Sequence, residues 1–286
     1  MNCKICNHST NLIFSKLILG KYKVKYHRCE KCNFIQTDDP FWLGEAYNSG
    51  AISALDTGIL SRNLDLTNKT EEILLKLYSD FSGFKGLDYG GGEGITVRML
   101  RDRGFNFYRY DLYAQNLYAK FFDLNDLPPG IHFNILTAFE VFEHLKDPIE
   151  EIEKMFNYSD TILFSTELIP YNSQNDLYDW WYLVPEGGQH ISFYDKKTLH
   201  TIAGKFHAKF FTNNTNLHIL SKNSNLKDPF DISVKQINVQ KSYYVRLRDK
   251  LRKMVKPRFD KNAHKLESLI QRDFEMVKRK INTNDN

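Results

Sequence analysis

The chain lacks several features that would place it in a membrane or outside the cell. It has no apolar run approaching the roughly 20 residues needed to span a bilayer. Its start, Met1-Asn2-Cys3-Lys4, has none of the charged head, apolar middle and small-residue cleavage site of a secretory signal. No cysteine follows Cys32, which excludes a disulfide framework spread through the fold. We therefore expect a cytoplasmic protein with reduced thiols.

Basic residues are scarce outside one segment. Of the 286 residues, 241–286 hold 14 Lys/Arg and 6 Asp/Glu, whereas the remainder holds 25 and 29. A nucleic-acid-binding core would carry its basic residues on its own surface, so nucleic acid is not the expected partner. The apolar fraction of 42% and charged fraction of 26% are those of a globular protein.

The basic tail, residues 240–286, is predicted to be helical, with a break at Pro257. Three interpretations of it stay open: a solvated helical hairpin packed on the body, an amphipathic helix on an anionic membrane surface, and a nucleic-acid contact. The second would place the protein at the inner face of the membrane by peripheral contact. The sequence does not indicate an oligomeric state.

The four cysteines form two pairs, Cys3-x2-Cys6 and Cys29-x2-Cys32. Each pair on a tight turn can direct both thiolates at one ion, and two pairs complete a tetrahedron. This spacing predicts a zinc-ribbon-like module over residues 1–40 with a closed, structural zinc site. The alternatives, unconnected thiols or a redox pair, are disfavoured because no βαβ unit follows either pair closely.

Strand and helix patterns alternate over residues 67–225. Strands are predicted at 85–89, 105–110, 118–122, 133–139, 161–165, 206–212 and 216–221. Helices are predicted from Asn68, where Asn68-x-x-Glu71 resembles a capping box, after Gly94, from Pro148, and over 196–205. This alternation predicts a Rossmann-like, doubly wound α/β sheet. Residues 41–66 are expected to be a connector or lid.

A glycine run follows the first strand of this domain, in Asp88-Tyr89-Gly90-Gly91-Gly92-Glu93-Gly94. Ligands of open α/β sheets bind beyond the carboxyl ends of the strands, and glycines let the backbone approach them. Ile95 occupies the final glycine place of the dinucleotide fingerprint, which disfavours a dehydrogenase. A carboxylate after the second strand, Asp111, can accept both ribose hydroxyls, and Asp123 can accept from an adenine amino group. The acidic loop suits a sulfonium cation better than a pyrophosphate.

Leu87 to Gly94 resembles motif I of class I S-adenosylmethionine-dependent methyltransferases. Phe139-Glu140-Val141-Phe142-Glu143-His144-Leu145, followed by Asp147-Pro148, resembles the glutamate–histidine motif of ubiquinone-type O-methyltransferases. The four-cysteine start is similar to that of deoxysugar C-methyltransferases, and Gly188 to Tyr194 is similar to a segment of methyltransferases from polysaccharide gene clusters. The resemblance covers roughly residues 1–220. It implies S-adenosylmethionine as cofactor and a sugar or glycan acceptor. The predicted cofactor-binding residues are Asp88, Gly90, Gly91, Gly92, Gly94, Asp111, Asp123, Leu124 and Phe139.

Methyl transfer to a sugar hydroxyl needs a general base, and histidine suits that role near neutral pH. His144 is the first candidate, at the carboxyl end of the fourth strand, and His190 is the second. Glu143 is expected to orient the histidine or to help position a divalent metal at the active site. For both histidines a structural hydrogen-bonding role remains the alternative. Trp180 to Tyr182 stack on a sugar ring in one interpretation and belong to the core or a lid in another.

Three function classes follow. The first is an O-methyltransferase acting on a glycan, nucleotide-sugar or related cell-surface polysaccharide precursor. The second is an RNA methyltransferase that grips its substrate with the zinc module and the basic tail. The third is a scaffold that keeps the fold and the zinc without turnover, and the intact acidic glycine loop disfavours it.

Overall fold

The computed structural model describes residues 1–48, 54–170 and 177–231, together with Glu275, Lys278 and Arg279. Most of the basic tail, and with it the predicted helices of 240–286, lies outside the described residues. Among the described residues no helix is both long and apolar enough to span a bilayer. Lys278 forms an ion pair with Glu186, with Nζ and Oε1 2.6 Å apart.

Ten strands and five helices carry the part of the fold considered below. The strands are β1 (Thr10–Ile18), β2 (Tyr22–Cys29), β3 (Ile35–Thr37), β4 (Gly86–Tyr89), β5 (Phe107–Tyr110), β6 (Ile135–Phe139), β7 (Thr161–Ser165), β8 (Ser192–Phe193), β9 (Lys209–Thr212) and β10 (Leu217–Ser221). The helices are α1 (Leu43–Asn48), α2 (Ile59–Leu77), α3 (Ile95–Asp102), α4 (Pro148–Tyr158) and α5 (Lys196–Lys205). Short 3-10 turns occur at Leu124–Asp126, Phe142–His144 and Trp181–Leu183.

The larger sheet has six strands in the order β5-β4-β6-β7-β10-β9. Strands β5, β4, β6 and β7 are parallel, and β10 joins β7 antiparallel, with β9 antiparallel to β10. One apolar cluster joins the sheet to residues of α2 and α3, and another joins it to residues of α4 and α5. Because adjacent strand residues such as Ile135 and Leu136 fall in different clusters, helices cover both faces of the sheet. The predicted Rossmann-like α/β fold is confirmed.

The N-terminal cysteine segment forms part of a second, smaller sheet in the order β1-β2-β3-β8. Its fourth strand, β8, follows β3 in the sequence by more than 150 residues. Cys3, Cys29 and Cys32 also share an apolar cluster with Phe142 and Tyr194 of the larger domain. The cysteine segment is therefore joined to the α/β domain by both a strand pairing and a common core.

Two sequence predictions of secondary structure are wrong. The first concerns the start of the long helix, because α2 begins at Ile59 and not at Asn68. The proposed cap at Asn68 instead serves a tertiary contact. Arg103 donates to Asn68 Oδ1 at 2.7 Å and pairs with Glu71 at 3.2 Å, so both members of the expected capping box bind one buried guanidinium.

The second concerns the strand predicted at 118–122, which is reduced to a single parallel bridge between Arg109 and Asp123. The Asn116 side chain donates to the Ala119 carbonyl and accepts from the Ala119 N–H, both at 2.8 Å. These are the groups that Ala119 would use in a strand ladder. Phe121, at φ +68°, turns the chain further and is 82% exposed.

Gly86 in β4 faces Phe107 across the strand pair, and its replacement tests this packing. A Cβ at position 86 would lie 2.4–2.6 Å from atoms of the Phe107 ring, which is fully buried. We expect Gly86→Ala to lower the free energy of unfolding by roughly 1–3 kcal/mol in urea titrations, as other overpacked cores do. Adding Phe107→Leu should recover part of this loss. Gly44→Ala is the control, because nothing lies within 4 Å of its Cβ. A Gly86→Ala protein as stable as the wild type would contradict the packing.

Candidate active site

The glycine loop lies where β4 ends and α3 begins. Gly90, Gly92 and Gly94 have φ of +70°, +53° and +90°, a region that side chains disfavour. The N–H groups of Gly90 and Gly91 donate to the Tyr110 carbonyl at 2.8 and 3.1 Å, which ties the loop to the end of β5. A Cβ at Gly90 would meet Val141 at 2.6 Å, so this glycine also lets the loop pack against the segment after β6.

Asp111, directly after β5, closes the loop on its second side. One oxygen, Oδ2, accepts from the Gly92 N–H at 2.9 Å, and Oδ1 accepts from the N–H groups of Tyr113 and Ala114 at 2.8 Å. A carboxylate has about four acceptor sites, so a lone pair remains for a ligand hydroxyl. The geometry fixes the orientation of this carboxylate beside the glycine loop, as a ribose-binding acid requires.

Arg109 was not among the residues predicted from sequence, yet it supports the whole loop. Its buried guanidinium donates to the Gly92 carbonyl at 2.5 Å, to Asp123 Oδ1 at 2.7 Å, and to the Ala114 carbonyl. A charged residue in a strand of the core is the signal that could have revealed it, because such residues are rarely buried unless paired.

Asp123 and Phe139 lie at the same edge of the sheet. Both Asp123 oxygens have partners, Arg109 on Oδ1 and Asn116 on Oδ2, each at 2.7 Å. Leu124 follows in the 3-10 turn, and Phe139 ends β6, partly buried. Adenine recognition by Asp123 stays a prediction; it would require the carboxylate to accept a further bond or release Asn116.

Asp88 is buried inside β4 and accepts from the Thr137 hydroxyl at 2.6 Å. Burial raises its pKa to about 7, opposed chiefly by that hydrogen bond, while the charge of Asp111 raises it further. The side chain is therefore held within the strand and supports the loop from beneath.

The second group of predicted residues is brought together by the turn after β6. Glu143 and His144 lie in the 3-10 turn Phe142–His144, and His190 lies 46 residues further along the chain. The two imidazole rings meet edge to face with centroids 4.9 Å apart, and His144 Nε2 is 4.0 Å from Glu143 Oε1. The structure thus gathers all three predicted catalytic residues in one cluster, which we call the Glu-His-His cluster.

Backbone bonds fix this cluster from the side of the small sheet. The Ile191 N–H donates to the Glu143 carbonyl at 2.9 Å, and its carbonyl accepts from the Thr37 N–H at 3.2 Å. His190 Nδ1 lies 2.6 Å from the Tyr182 carbonyl. Since a carbonyl only accepts, Nδ1 carries the proton and Nε2 keeps its lone pair.

Burial determines the charge state of the cluster. Burial lowers the pKa of His190 to about 4 and lowers that of His144 well below its ordinary value, with the neighbouring His190 adding to the second shift. Burial also raises the pKa of Glu143 well above its ordinary value, and the charge of Glu140 adds to it. The nearby Thr166 and Tyr182 hydroxyls oppose this shift, although neither forms a hydrogen bond of ordinary geometry to the carboxyl group. Both imidazoles are accordingly neutral at pH 7.

Three further residues, Glu140, Arg62 and Asp56, lie near the cluster and were not predicted from the sequence. Glu140, at φ +54°, accepts from the Ser165 hydroxyl at 2.5 Å and acts electrostatically on Glu143. Arg62 forms a two-point pair with Asp56 at 2.6 and 2.8 Å, and its charge lowers the pKa of both histidines. The strained backbone at Glu140 is a feature that sequence periodicity does not reveal.

Tyr47 connects the two parts of the site. It stacks on Tyr113 with centroids 5.0 Å apart and an interplanar angle of 10°. Burial raises its pKa to about 12, and the nearby charges of Glu143 and Asp111 contribute. A residue of α1 is therefore near enough to both Asp111 and Glu143 for their charges to act on it, which brings the segment predicted as a connector or lid close to the site.

The aromatic run is partly buried and partly exposed. Tyr182 is buried and packs against His190 with centroids 4.7 Å apart, so it belongs to the core. Trp181 packs on Tyr182 at 5.3 Å and is 69% exposed. The Tyr182 ring thus lies between the exposed Trp181 indole and the cluster.

The four cysteines form a separate site. Their Sγ atoms are 3.4 Å (Cys6–Cys29), 3.5 Å (Cys3–Cys32) and 3.5 Å (Cys6–Cys32) apart. Zinc–sulfur bonds of about 2.3 Å in a tetrahedron require sulfur separations of about 3.8 Å, close to those found. Backbone N–H groups of Ile5 and Cys32 point at Cys3 and Cys29 Sγ, at 3.4 and 3.5 Å. The cluster has the ligand set and the outer hydrogen bonds of a structural metal site.

Asp88 generates a prediction on pH dependence. Its pKa is about 7 in the fold and near 3.8 unfolded, so the folded state holds the extra proton between these values. Its contribution to stability therefore falls as pH rises through that window and is flat above it. Between pH 5 and 8, we expect Asp88→Asn to gain roughly 2–3 kcal/mol relative to the wild type in urea unfolding. Asp102→Asn, at an exposed position, is the control. Parallel pH curves for wild type and Asp88→Asn would contradict the assignment.

Comparison with solved structures gives distant likenesses. The plantazolicin methyltransferase BpumL, in complex with a monoazolic desmethylPZN analog and SAH, is similar with a TM-score of 0.42 and 10% identity, over 63% of this chain and 92% of that chain. Mitomycin 7-O-methyltransferase MmcR gives a TM-score of 0.35 and 15% identity over 52% of this chain, which spans 51% of that protein. An O-methyltransferase family protein from Burkholderia thailandensis gives 0.39 and 10%, over 57% and 59%. No curated protein matches the sequence significantly.

The sequence itself matches a protein family. The family described as a methyltransferase domain matches residues 61–207, just over half of the 286 residues. The matched range begins in α2, contains the glycine loop and the Glu-His-His cluster, and ends just after α5. The predicted methyltransferase is thereby confirmed at the level of the family, and this chain belongs to the family of methyltransferase domains.

Proposed function

We propose that the chain transfers the methyl group of S-adenosylmethionine to a hydroxyl oxygen of a glycan, nucleotide-sugar or related polysaccharide precursor. The observation that carries the proposal is the pairing of two sites at one edge of the sheet. The glycine loop with Asp111 suits a nucleoside cofactor, and the Glu-His-His cluster lies beside it with neutral imidazoles.

In this proposal the cofactor half uses backbone groups and carboxylates. The positive φ values of the glycines let the loop approach the ligand closely, and Asp111 accepts from the ribose hydroxyls. Arg109 keeps the loop in place through Gly92. The reaction is an in-line displacement, so the main task of this half is to hold the methyl carbon in position.

The acceptor half supplies the proton acceptor. The acceptor oxygen forms a bond to the methyl carbon as the carbon–sulfur bond breaks, S-adenosylhomocysteine leaves, and the hydroxyl proton passes to His144 or His190. His190 is suited because Nε2 keeps its lone pair while Nδ1–H is bound to the Tyr182 carbonyl. Trp181, exposed beside Tyr182, offers a face for the apolar side of a sugar ring.

We also propose that Cys3, Cys6, Cys29 and Cys32 hold one structural Zn²⁺. The sulfur separations and the inward N–H groups support it. With four protein ligands the ion has no open position, so it takes no part in the transfer. Its role is to stabilise the small sheet, whose strand pairing with β8 reaches within two residues of His190.

The cofactor and the base are tested by binding and turnover measured separately. We expect S-adenosylmethionine to bind the zinc-loaded protein in calorimetric titration, with NADH as the negative control. Asp111→Ala should abolish this binding, because the loop loses both a ribose acceptor and the bond to the Gly92 N–H, whereas Asp102→Ala should not. His144→Gln and His190→Gln should keep the cofactor affinity and lower turnover on sugar hydroxyls by about 10²–10⁴-fold.

His200→Gln, which removes an imidazole that packs on Phe210 outside the site, is the control for turnover. Failure of the folded wild-type protein to bind S-adenosylmethionine would refute the proposal. Equal turnover in the His144 and His190 variants and in wild type would refute the assignment of the base.

Zinc is tested by metal analysis and thermal unfolding. We expect one zinc per chain, lost in Cys29→Ala together with a lower Tm, because Cys29 belongs to the core shared with Phe142. His8→Ala should keep the zinc, since His8 is exposed and its ring faces the Cys6 carbonyl. Full zinc content in Cys29→Ala, or zinc loss in His8→Ala, would rule out the four-cysteine site.

A further inference from the structure

The Glu-His-His cluster has the composition of a metal site as well as that of a proton acceptor. Each of its members offers one ligand atom, and the three atoms lie within 4.8 Å of one another. The imidazole rings are perpendicular, at 89°, so that they do not stack. Two imidazoles and one carboxylate, with other positions open to solvent or substrate, form a recurring binding set for divalent first-row metals.

Within the described part of the chain, the Glu143 carboxyl group is buried without a bonding partner. The residue is 0% exposed, and among the described residues neither carboxylate oxygen has a hydrogen-bond partner. His144 Nδ1 is likewise buried without one. Buried polar groups are almost always satisfied, and a buried carboxylate is stabilised by a charge partner or by a metal ion. No described Lys or Arg pairs with Glu143, whereas the two histidines adjoin it.

The surroundings orient the histidines as outer hydrogen bonds orient metal ligands. Metal-binding histidines commonly donate their second N–H to a carbonyl, which fixes the ring and the tautomer. His190 does this through the 2.6 Å contact between Nδ1 and the Tyr182 carbonyl, and its Nε2 is left as the ligand atom. The turn that carries Glu143 and His144 is held by the Ile191 N–H on the Glu143 carbonyl.

We propose that Glu143, His144 and His190 together bind one divalent first-row transition metal ion, which also coordinates the acceptor hydroxyl. The proposal rests on the proposed methyl transfer, and in the activation of the acceptor it replaces the histidine base with a metal ion. The two imidazoles favour such an ion over Mg²⁺ or Ca²⁺, which prefer oxygen ligands. Three ligand atoms on one ion at about 2.1 Å lie on average at most about 3.6 Å apart, so side-chain movements of about an ångström close the site.

The ion changes the way in which the hydroxyl is activated. Coordination lowers the pKa of the bound hydroxyl, whose proton is released to water. The resulting alkoxide oxygen bonds to the methyl carbon while the carbon–sulfur bond breaks and its electron pair stays on sulfur. Glu143 balances part of the charge of the ion. The two histidines act as metal ligands, so that neither of them is the proton acceptor.

The test uses Mn²⁺ and the full-length, zinc-loaded protein. Mn²⁺ competes poorly for thiolates, so the four-cysteine site keeps its zinc, and metal analysis verifies this. The decrease of the free Mn²⁺ signal in electron paramagnetic resonance measures binding without any acceptor. We expect one Mn²⁺ per chain. Glu143→Gln and His190→Gln should weaken the affinity by at least about tenfold, since loss of even an outer hydrogen-bond partner has that effect.

Two controls separate ligand loss from misfolding. His200→Gln should bind Mn²⁺ as the wild type does. Titration with S-adenosylmethionine shows that Glu143→Gln remains folded, and Mn²⁺ should raise the Tm of the wild type but not of that variant. No Mn²⁺ binding by the wild type, or unchanged affinity in Glu143→Gln, overturns the metal site.

The outcomes also separate this proposal from the proposed function. Methyl transfer by protein that holds one zinc and no further metal, unaffected by added Mn²⁺, overturns the metal site and leaves the transfer standing. Mn²⁺ binding that depends on Glu143, in a protein that does not bind S-adenosylmethionine, refutes the proposed function and leaves the metal site standing.

Discussion

The site depends on one residue, Ile191, whose backbone N–H and carbonyl are both hydrogen-bonded. Ile191 donates to the Glu143 carbonyl and accepts from the Thr37 N–H, so a single residue links the turn after β6 to the small sheet. Its neighbours reinforce the link, since the Ser192 hydroxyl donates to the Leu145 carbonyl at 2.7 Å and the Tyr194 hydroxyl to the Phe142 carbonyl at 2.8 Å. Because His190 precedes this residue, its position against His144 follows from the backbone pairing.

This anchoring lets the protein keep an unfavourable arrangement at its centre. A buried carboxyl group without a hydrogen-bond partner is costly even when burial keeps it protonated, and the left-handed backbone of Glu140 adds strain. Such features persist where many surrounding contacts hold them in place. Here Phe142, the first residue of the turn, stacks on Phe164, with ring centroids 3.9 Å apart. The rigid core thus holds polar groups in an orientation that they would not adopt alone, as a preorganised site requires.

Sequence reasoning succeeded where the determinants are local. The glycine loop, the turn that carries Glu143 and His144, and the two cysteine pairs are each set by short spacings. It failed where side-chain contacts of the folded protein decide the outcome: Arg103 takes the groups expected to cap the long helix, and the Asn116 side chain takes the backbone groups of the expected third strand. Arg109 and the strain at Glu140 were missed for the same reason, since their roles exist only once β5, β6 and their loops are assembled.

The two parts of the site consequently depend on different parts of the chain. The cofactor half is built from β4, β5 and the loops that follow them, with Arg109 and Asp111 as its supports. The cluster half needs the small sheet, through Ile191, and Tyr47 of α1 stacks on Tyr113, whose N–H binds Asp111. Changes in the small sheet will therefore act on the Glu-His-His cluster first, since no backbone bond of the glycine loop described above reaches that sheet. On the proposed assignment of the two halves, such changes alter the acceptor side while the cofactor side stays the same.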